Sequence, residues 1–336
     1  MSDPVPFTSS LVSARDVRDR ELRGSRWLGA GLCALSAAGY SGLPILAKLA
    51  FAAGLSISGM LSVRFGGAAV LILGFLVLTR RRPVYPGRRA ALALLGLGLM
   101  YGVQAAMFFS GLRRIPASVS SVLLYIYPAI VTLLAWRIYH SRPRKAEIGA
   151  IGLGLLGVLL TVRPWGLAGL EGAPGLDLVG AALVVGAAVS YSVYILLSAI
   201  MVKRTGPLVS TGWITAGAGM FFAVIGAATH TLAWHLPPYG GWLLLGMILF
   251  NTILPLVAFL AGLDRVGAAA ASLISTLEPV FTVLLASAFL AERLEGIEIV
   301  GGVMVLSAAI LVNLPGVHLE GQTEDGKRSQ ARPPAM

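Results

Sequence analysis

The chain has 336 residues, of which 57% are hydrophobic and only 12% charged, and its mean hydropathy is +0.83. A soluble domain carries about twice that share of charge and breaks its apolar runs sooner, so a soluble globular fold is excluded. The net charge of +11 would point to nucleic acid in a soluble chain. Here the basic residues sit in short segments between apolar runs, the bias that orients membrane helices, and no nucleic-acid partner is expected.

Residues 1–26 are polar and hold Arg15, Arg18, Arg20, Arg23 and Arg26. They cannot build a packed core, and the expectation is a cytoplasmic tail, partly disordered. Trp27 opens the first apolar run, which ends near Phe51. Ala50-Phe51-Ala52 resembles a signal-peptide cleavage site, but the run is too long for such a peptide, and Tyr40, Pro44 and Lys48 interrupt it. The one cysteine, Cys33, lies inside this run and has no intrachain disulfide partner.

Further runs follow at 57–79, 90–112, 116–139, 146–163, 177–201, 208–229, 240–263, 267–290 and 295–314. Each is near the roughly 20 residues that a spanning helix needs, so ten spans are expected. The short gaps after the third and the eighth runs predict tight hairpins. Pro164–Leu176 is a Gly- and Pro-rich external linker, and the tail at 315–336 is polar and expected to be disordered. With the N-terminus inside, the inner segments hold 20 Lys and Arg and the outer segments five. Both termini are therefore expected in the cytoplasm. Trp27, Trp136, Trp165, Trp234 and Trp242 fall near run ends, where aromatic belts form.

The chain is built twice. A shift of 151 residues, without a gap, carries Gly111–Val162 onto Gly262–Asn313 with fourteen identities, and the first run onto the sixth. Each half, 27–163 and 177–314, holds five spans. Five is odd, so the second half enters the bilayer from the opposite side. Inverted repeats of this kind underlie alternating access to a site at mid-membrane depth. The shift also shows where the halves differ: Glu278-Pro279 in the ninth run stands opposite Tyr127-Pro128 in the fourth.

The second half resembles the C-terminal signature of the EamA-type drug/metabolite transporters. It has a small-residue hairpin, Glu278-Pro279 inside a helix, then Leu290-Ala291-Glu292-Arg293, then a last helix bearing Gly301-Gly302. Val63-Arg64-Phe65 in the second run is similar to that family's arginine. The resemblance covers about 27–314. It implies ten helices in two inverted five-helix repeats around a central cavity. It also implies movement of small metabolites such as amino acids across the inner membrane, often outward. The first half departs from the pattern in having Tyr127 instead of Glu, and Arg137-Ile138-Tyr139-His140 where the second half has Ala288-Phe289-Leu290-Ala291.

Glu278 is the one acid at mid-membrane, where a carboxylate is costly and has a reason to be there. It suits a proton switch or a counter-charge for a substrate ammonium. The competing reading is a structural carboxyl serving backbone groups freed by Pro279, or pairing with Arg64. Arg64 is the one base well inside a run. It suits a substrate carboxylate, a structural role beside Glu278, or snorkelling toward an interface. Tyr40 and Tyr191 are equivalent in the two halves. Tyr101, Gln104, Tyr125, Tyr127, Tyr194 and Asn251 are further polar groups within runs. Some of these are expected to line a wet cavity, and the alternative for each is interhelical hydrogen bonding. Pro44, Pro128, Pro255 and Pro279 mark kinks, as hinges or as fixed bends. Gly98-x-x-x-Gly102 and Ala150-x-x-x-Gly154 allow close packing, within the chain or between copies in a homodimer, and packing within the chain is the expectation.

His140, His230, His235 and His318 fall in loops or tails, and no metal-ligand spacing, nucleophile–base pair or phosphate-cradling loop is present. No cofactor is expected. A secondary transporter, uniporter, exchanger or proton antiporter, fits the sequence better than an integral membrane enzyme or lipid-handling protein.

Overall fold

The computed structural model describes residues 7–43, 46, 50, 54–79, 85–115, 120, 123–139, 143, 145–162, 177–232, 240–290 and 296–313. Pro44, Lys48, Trp165, Trp234, His140, His235, His318, Glu292-Arg293, the 164–176 linker and the 315–336 tail lie outside the described residues.

Among the described residues, ten helical elements follow one another. They are α1 (Phe7–Ser41), α2 (Ile57–Thr79), α3 (Arg88–Leu112), α4 (Tyr127–Tyr139) and α5 (Lys145–Val162) in the first half. The second half has α6 (Leu178–Thr205), α7 (Pro207–Ala228), α8 (Gly240–Val266), α9 (268–290) and α10 (Gly296–Asn313). Among the described residues, α2, α3, α6, α7 and α8 are long and apolar enough to cross a membrane. Shorter apolar stretches occur at Tyr127–Ile138, Ala268–Thr282 and Ile299–Leu311. The protein is a multi-pass helical membrane protein.

The N-terminal tail is helical from Phe7 and continuous with α1.

The packing carries the repeat into three dimensions. Helix α1 lies on α8 as α6 lies on α3, and α2 pairs with α7 as α5 pairs with α10. Advancing every helix by five turns each of these pairings into another of them or into itself. The halves therefore interlock around a pseudo-two-fold axis. Two junctions are single glycines with positive φ, Gly206 between α6 and α7 and Gly267 between α8 and α9. Each donates its amide back to its helix, to Val202 O and Leu263 O, closing a turn that an L side chain would strain. The expected hairpin after the eighth run is thus a one-residue turn.

Small residues let the helices touch, because lipid gives apolar side chains no reason to bury against protein. Gly98 on α3 faces Gly217 and Ala218 on α7, and Gly102 faces Phe221. Gly154 on α5 faces Leu273 of α9 and Ala308 of α10. Both small-residue faces pack within the chain. The outward sides of α2 and α10 show Val70, Leu78, Val303 and Ile310 to the lipid; Trp136 and Trp242 are exposed near helix ends, and Trp27 is exposed within α1.

A Cβ at Gly98 would approach Gly217 Cα to 2.8 Å and Ala218 N to 2.9 Å, both backbone atoms that cannot step aside. Gly98→Val is expected to destabilise the protein in detergent by about 1–3 kcal/mol, read as loss of the monodisperse elution peak at a lower temperature. Gly96→Ala, whose Cβ meets nothing within 4 Å, is expected to shift it by less than about 0.5 kcal/mol.

Candidate functional site

Proline places the site. In α9 the helix tightens to a 3-10 turn at Ser275–Leu277 and restarts at Glu278, with Pro279 in the first turn, where its missing N–H costs nothing. The equivalent stretch of α4 turns at Tyr125 and Ile126 and restarts at Tyr127, with Pro128 next. Both repeats therefore break their fourth helix at the same depth. Each puts a polar side chain at the positive N-terminus of a half-helix, and a carboxylate at Glu278 is favoured by that dipole. Tyr127 Oη donates to Ser272 O at 3.0 Å, tying the break in α4 to α9. Ser192 Oγ on α6 lies 3.2 Å from Tyr127 O. On the other side, Thr282 Oγ1 reaches Glu278 O at 3.0 Å and Ser41 O at 3.3 Å.

Tyrosines join the breaks. Tyr127 meets Tyr191 edge-on at 4.9 Å between centroids, Tyr191 stacks on Tyr194 at 5.8 Å, and Tyr194 stacks on Tyr101 at 5.1 Å. Tyr125 continues the series beyond Tyr127 at 6.4 Å, and Phe65 continues it beyond Tyr101 at 5.5 Å. The series crosses α4, α6, α3 and α2, so it spans both repeats. Tyr40 on α1 lies beside Tyr101 and Arg64. The Glu278 carboxyl is within electrostatic reach of Tyr125, Tyr127 and Arg64. Tyr40, Tyr101, Tyr191 and Glu278 are half-buried, while Tyr127 and Tyr194 are buried.

The third proline acts on α8. Pro255 has no amide hydrogen for the carbonyl of Asn251, four residues earlier. The helix widens there into a π turn over Leu249–Ile253, and Arg64 enters from α2. Its Nη2 donates to Asn251 O at 2.6 Å and its Nε to Thr252 Oγ1 at 2.6 Å. Thr252 Oγ1 passes its own hydrogen to Met247 O at 2.9 Å. Asn251 Nδ2 donates to Gly39 O at 2.5 Å, which pins α8 to α1. Arg64 also lies over the Phe65 ring, 5.0 Å from its centroid. Gln104, which stands opposite Pro255 in the repeat, is buried in α3, and α3 runs on as a regular helix because every amide is present.

The structure thus gathers Glu278, Arg64, Tyr40, Tyr191, Tyr101, Tyr127 and Asn251 into one region, with Gln104 one turn beyond Tyr101 on α3. It does not pair Arg64 with Glu278: the guanidinium is bound to the π turn instead. Arg64 is 2% exposed, so it does not snorkel. Asn251 Oδ1 is buried and accepts no hydrogen bond from the protein. Thr252 and Ser192 were not among the candidates read from the sequence. Thr252 was legible in principle, since it adjoins the carbonyl that Pro255 frees. Ser192 carried no signal beyond its match to Ser41. Among the described residues no three of His, Cys, Asp and Glu come together.

Several relatives are transporters by name. The transporter YcbK of Bacillus subtilis is 28% identical over 57% of this chain and 62% of its own length. The inner membrane transporter YedA of Escherichia coli K12 is 27% identical over 76% of this chain and 81% of its own. The threonine/homoserine exporter RhtA of Salmonella typhimurium LT2 is 26% identical over 75% and 80%. The match to YcbK thus spans less than two thirds of that relative. A solved crystal structure superposes with a TM-score of 0.69 over 92% of this chain and 99% of its own, at 16% identity, a likeness of fold alone. The model of the EamA-like transporter family matches twice, at residues 27–163 and 178–314, one match for each half of the interlocked bundle. With nearly all of its helical part matched, the chain belongs to the EamA-like transporter family.

Proposed function

We propose that this protein exports small organic metabolites, amino acids foremost, across the inner membrane by alternating access, with its termini in the cytoplasm. The observation that carries this reading is the unpaired placement of Arg64 and Glu278. Two opposite charges share one tyrosine-lined region at the helix breaks, yet the π turn holds the arginine and keeps the pair from closing. A guanidinium has five N–H donors, and the two hydrogen bonds to Thr252 and Asn251 leave others for a carboxylate. The unpartnered Asn251 Oδ1 is an acceptor for an ammonium group. Glu278 supplies the opposite charge, and the tyrosines supply an apolar wall with polar edges. A zwitterion between the two charges satisfies both. The relative RhtA, a threonine/homoserine exporter by name, supports this choice of solute.

Glu278 is also the candidate for coupling. It alternates between charged and neutral as a proton and a substrate ammonium compete for it. In proteoliposomes loaded with a labelled amino-acid mixture, a pH gradient is expected to speed release from the wild type. Glu278→Gln is expected to release at a rate the gradient does not change. A wild-type rate indifferent to pH, together with full activity of Glu278→Gln, would sink the coupling role.

Arg64→Gln removes a charge-assisted hydrogen bond to the solute. It is expected to raise the half-saturating amino-acid concentration roughly 10- to 100-fold while leaving amines without a carboxylate unaffected. Thr252→Val strips the Nε partner from a buried guanidinium and is expected to destabilise the protein by about 1–3 kcal/mol, seen as an earlier melt in detergent.

A further inference from the structure

The end of α4 carries groups that the repeat does not require. The 151-residue shift sets Leu133-Leu134 on Leu284-Leu285, and Leu133 and Leu284 are both exposed. It then sets Trp136-Arg137 on Ser287-Ala288. The second half builds the same helix without a tryptophan or an arginine there, so the fold itself does not call for either. Leu133, Trp136 and Arg137 stand at i, i+3 and i+4 on one face of α4, and all three are exposed.

That face borders a hollow of about 560 Å³, open to the surface, with Leu133, Leu134, Trp136 and Arg137 along it. Its size lies in the range of small-molecule sites, about 300–1,000 Å³. Its wall is graded in polarity. Leu133 and Leu134 lie toward the middle of the helix, and Arg137 lies in the last turn, where the negative helix end favours a cation. Trp136, an apolar ring with one N–H, stands between them, the arrangement of a side chain at a membrane interface. The chain from α4 to α5 adds Arg142, Arg144 and Lys145, and no acid lies between Arg137 and Lys145. Lys145 is exposed at the start of α5.

We infer that this hollow binds an anionic phospholipid, with an acyl chain along Leu133 and Leu134, the glycerol backbone beside Trp136 and the phosphate on Arg137. A guanidinium grips a phosphate with two parallel N–H donors. The apolar wall beside the arginine favours a lipid over a soluble phosphate, which has no chain to lay on it. The basic residues favour a headgroup without a cation. Choline or ethanolamine would bring a positive charge to a segment that holds Arg137, Arg142, Arg144 and Lys145, and glycerol brings none. The occupant is therefore of the phosphatidylglycerol type. The helix it holds is the one that restarts at Tyr127 beside the candidate site.

Trp136 is the reporter. The full chain is placed in phosphatidylcholine vesicles that hold the same mole fraction of phosphatidylglycerol or phosphatidylcholine brominated on the same acyl carbons. Quenching at Trp136 is read as the difference between each protein and its own Trp136→Phe partner. Brominated phosphatidylglycerol is expected to quench the wild type with a relative binding constant roughly three- to ten-fold above that of brominated phosphatidylcholine. Arg137→Gln is expected to bring that ratio within about two-fold of unity. Lys145→Gln, which removes the same charge from a residue outside the hollow, is expected to keep most of it. Inorganic phosphate at constant ionic strength is expected to leave the quenching unchanged. Circular dichroism and elution profile establish that each variant is folded. A wild-type ratio near unity overturns the site whatever the variants do. Equal losses in Arg137→Gln and Lys145→Gln mean a diffuse positive surface and overturn it too, and relief by inorganic phosphate assigns the arginine to a soluble anion instead. Both leaflets hold the lipid, so neither the orientation of the chain nor the solute it carries affects the result.

Discussion

A backbone carbonyl without a donor is costly inside a bilayer, and among the described residues the structure is organised by three places where proline creates one, at Pro128, Pro255 and Pro279. Pro255 frees the carbonyl of Asn251, and the repair reaches across the molecule: a π turn opens and Arg64 of the other repeat fills it. The cost of burying an arginine and the cost of an orphaned carbonyl offset each other. Pro279 and Pro128 are absorbed locally, by starting new half-helices at Glu278 and Tyr127. Every polar group of the candidate site is attached to one of these repairs or packed on one. Breaks in helices are tolerated in membranes where they are buried in protein, and Asn251, Thr252 and Ser275–Leu277 are buried here.

The frame around the breaks is nearly symmetric, and the chemistry is not. Glycine crossings repeat, Gly29 on Gly262 as Gly180 on Gly111, and helix pairs exchange under the pseudo-two-fold axis. On that frame single substitutions set the two halves apart. Glu278 replaces Tyr127, Pro255 replaces Gln104, and Asp177 stands where the first half has Arg26. Each difference gives one half a group that the other does not carry at the equivalent position: a carboxyl at depth, a widened turn, a capping aspartate.

Arg64 shows how a burial argument changes once partners are known. Read alone, a mid-membrane arginine near a glutamate suggests an ion pair. Thr252 Oγ1 and the Asn251 carbonyl supply neutral acceptors at 2.6 Å, so the guanidinium is held without being neutralised. A closed Arg64–Glu278 pair would leave little electrostatic demand for a ligand; two separated charges leave a great deal.

The sequence by itself determined the ten helices, the doubling, the breaks at Pro128, Pro255 and Pro279, and the identity of the charged and aromatic residues at depth. Those follow from local rules: apolar length, a gapless 151-residue shift, a missing amide hydrogen. It did not show that α1 reaches back to Phe7. Only the tertiary structure decided that Arg64 turns to the π turn and not to Glu278, that the tyrosines form one series across four helices, and that Asp177 meets Arg114. Such choices depend on which faces of distant helices are turned toward each other. Helix rotation is set by glycine contacts between segments far apart in the chain, and no periodicity within one run records it.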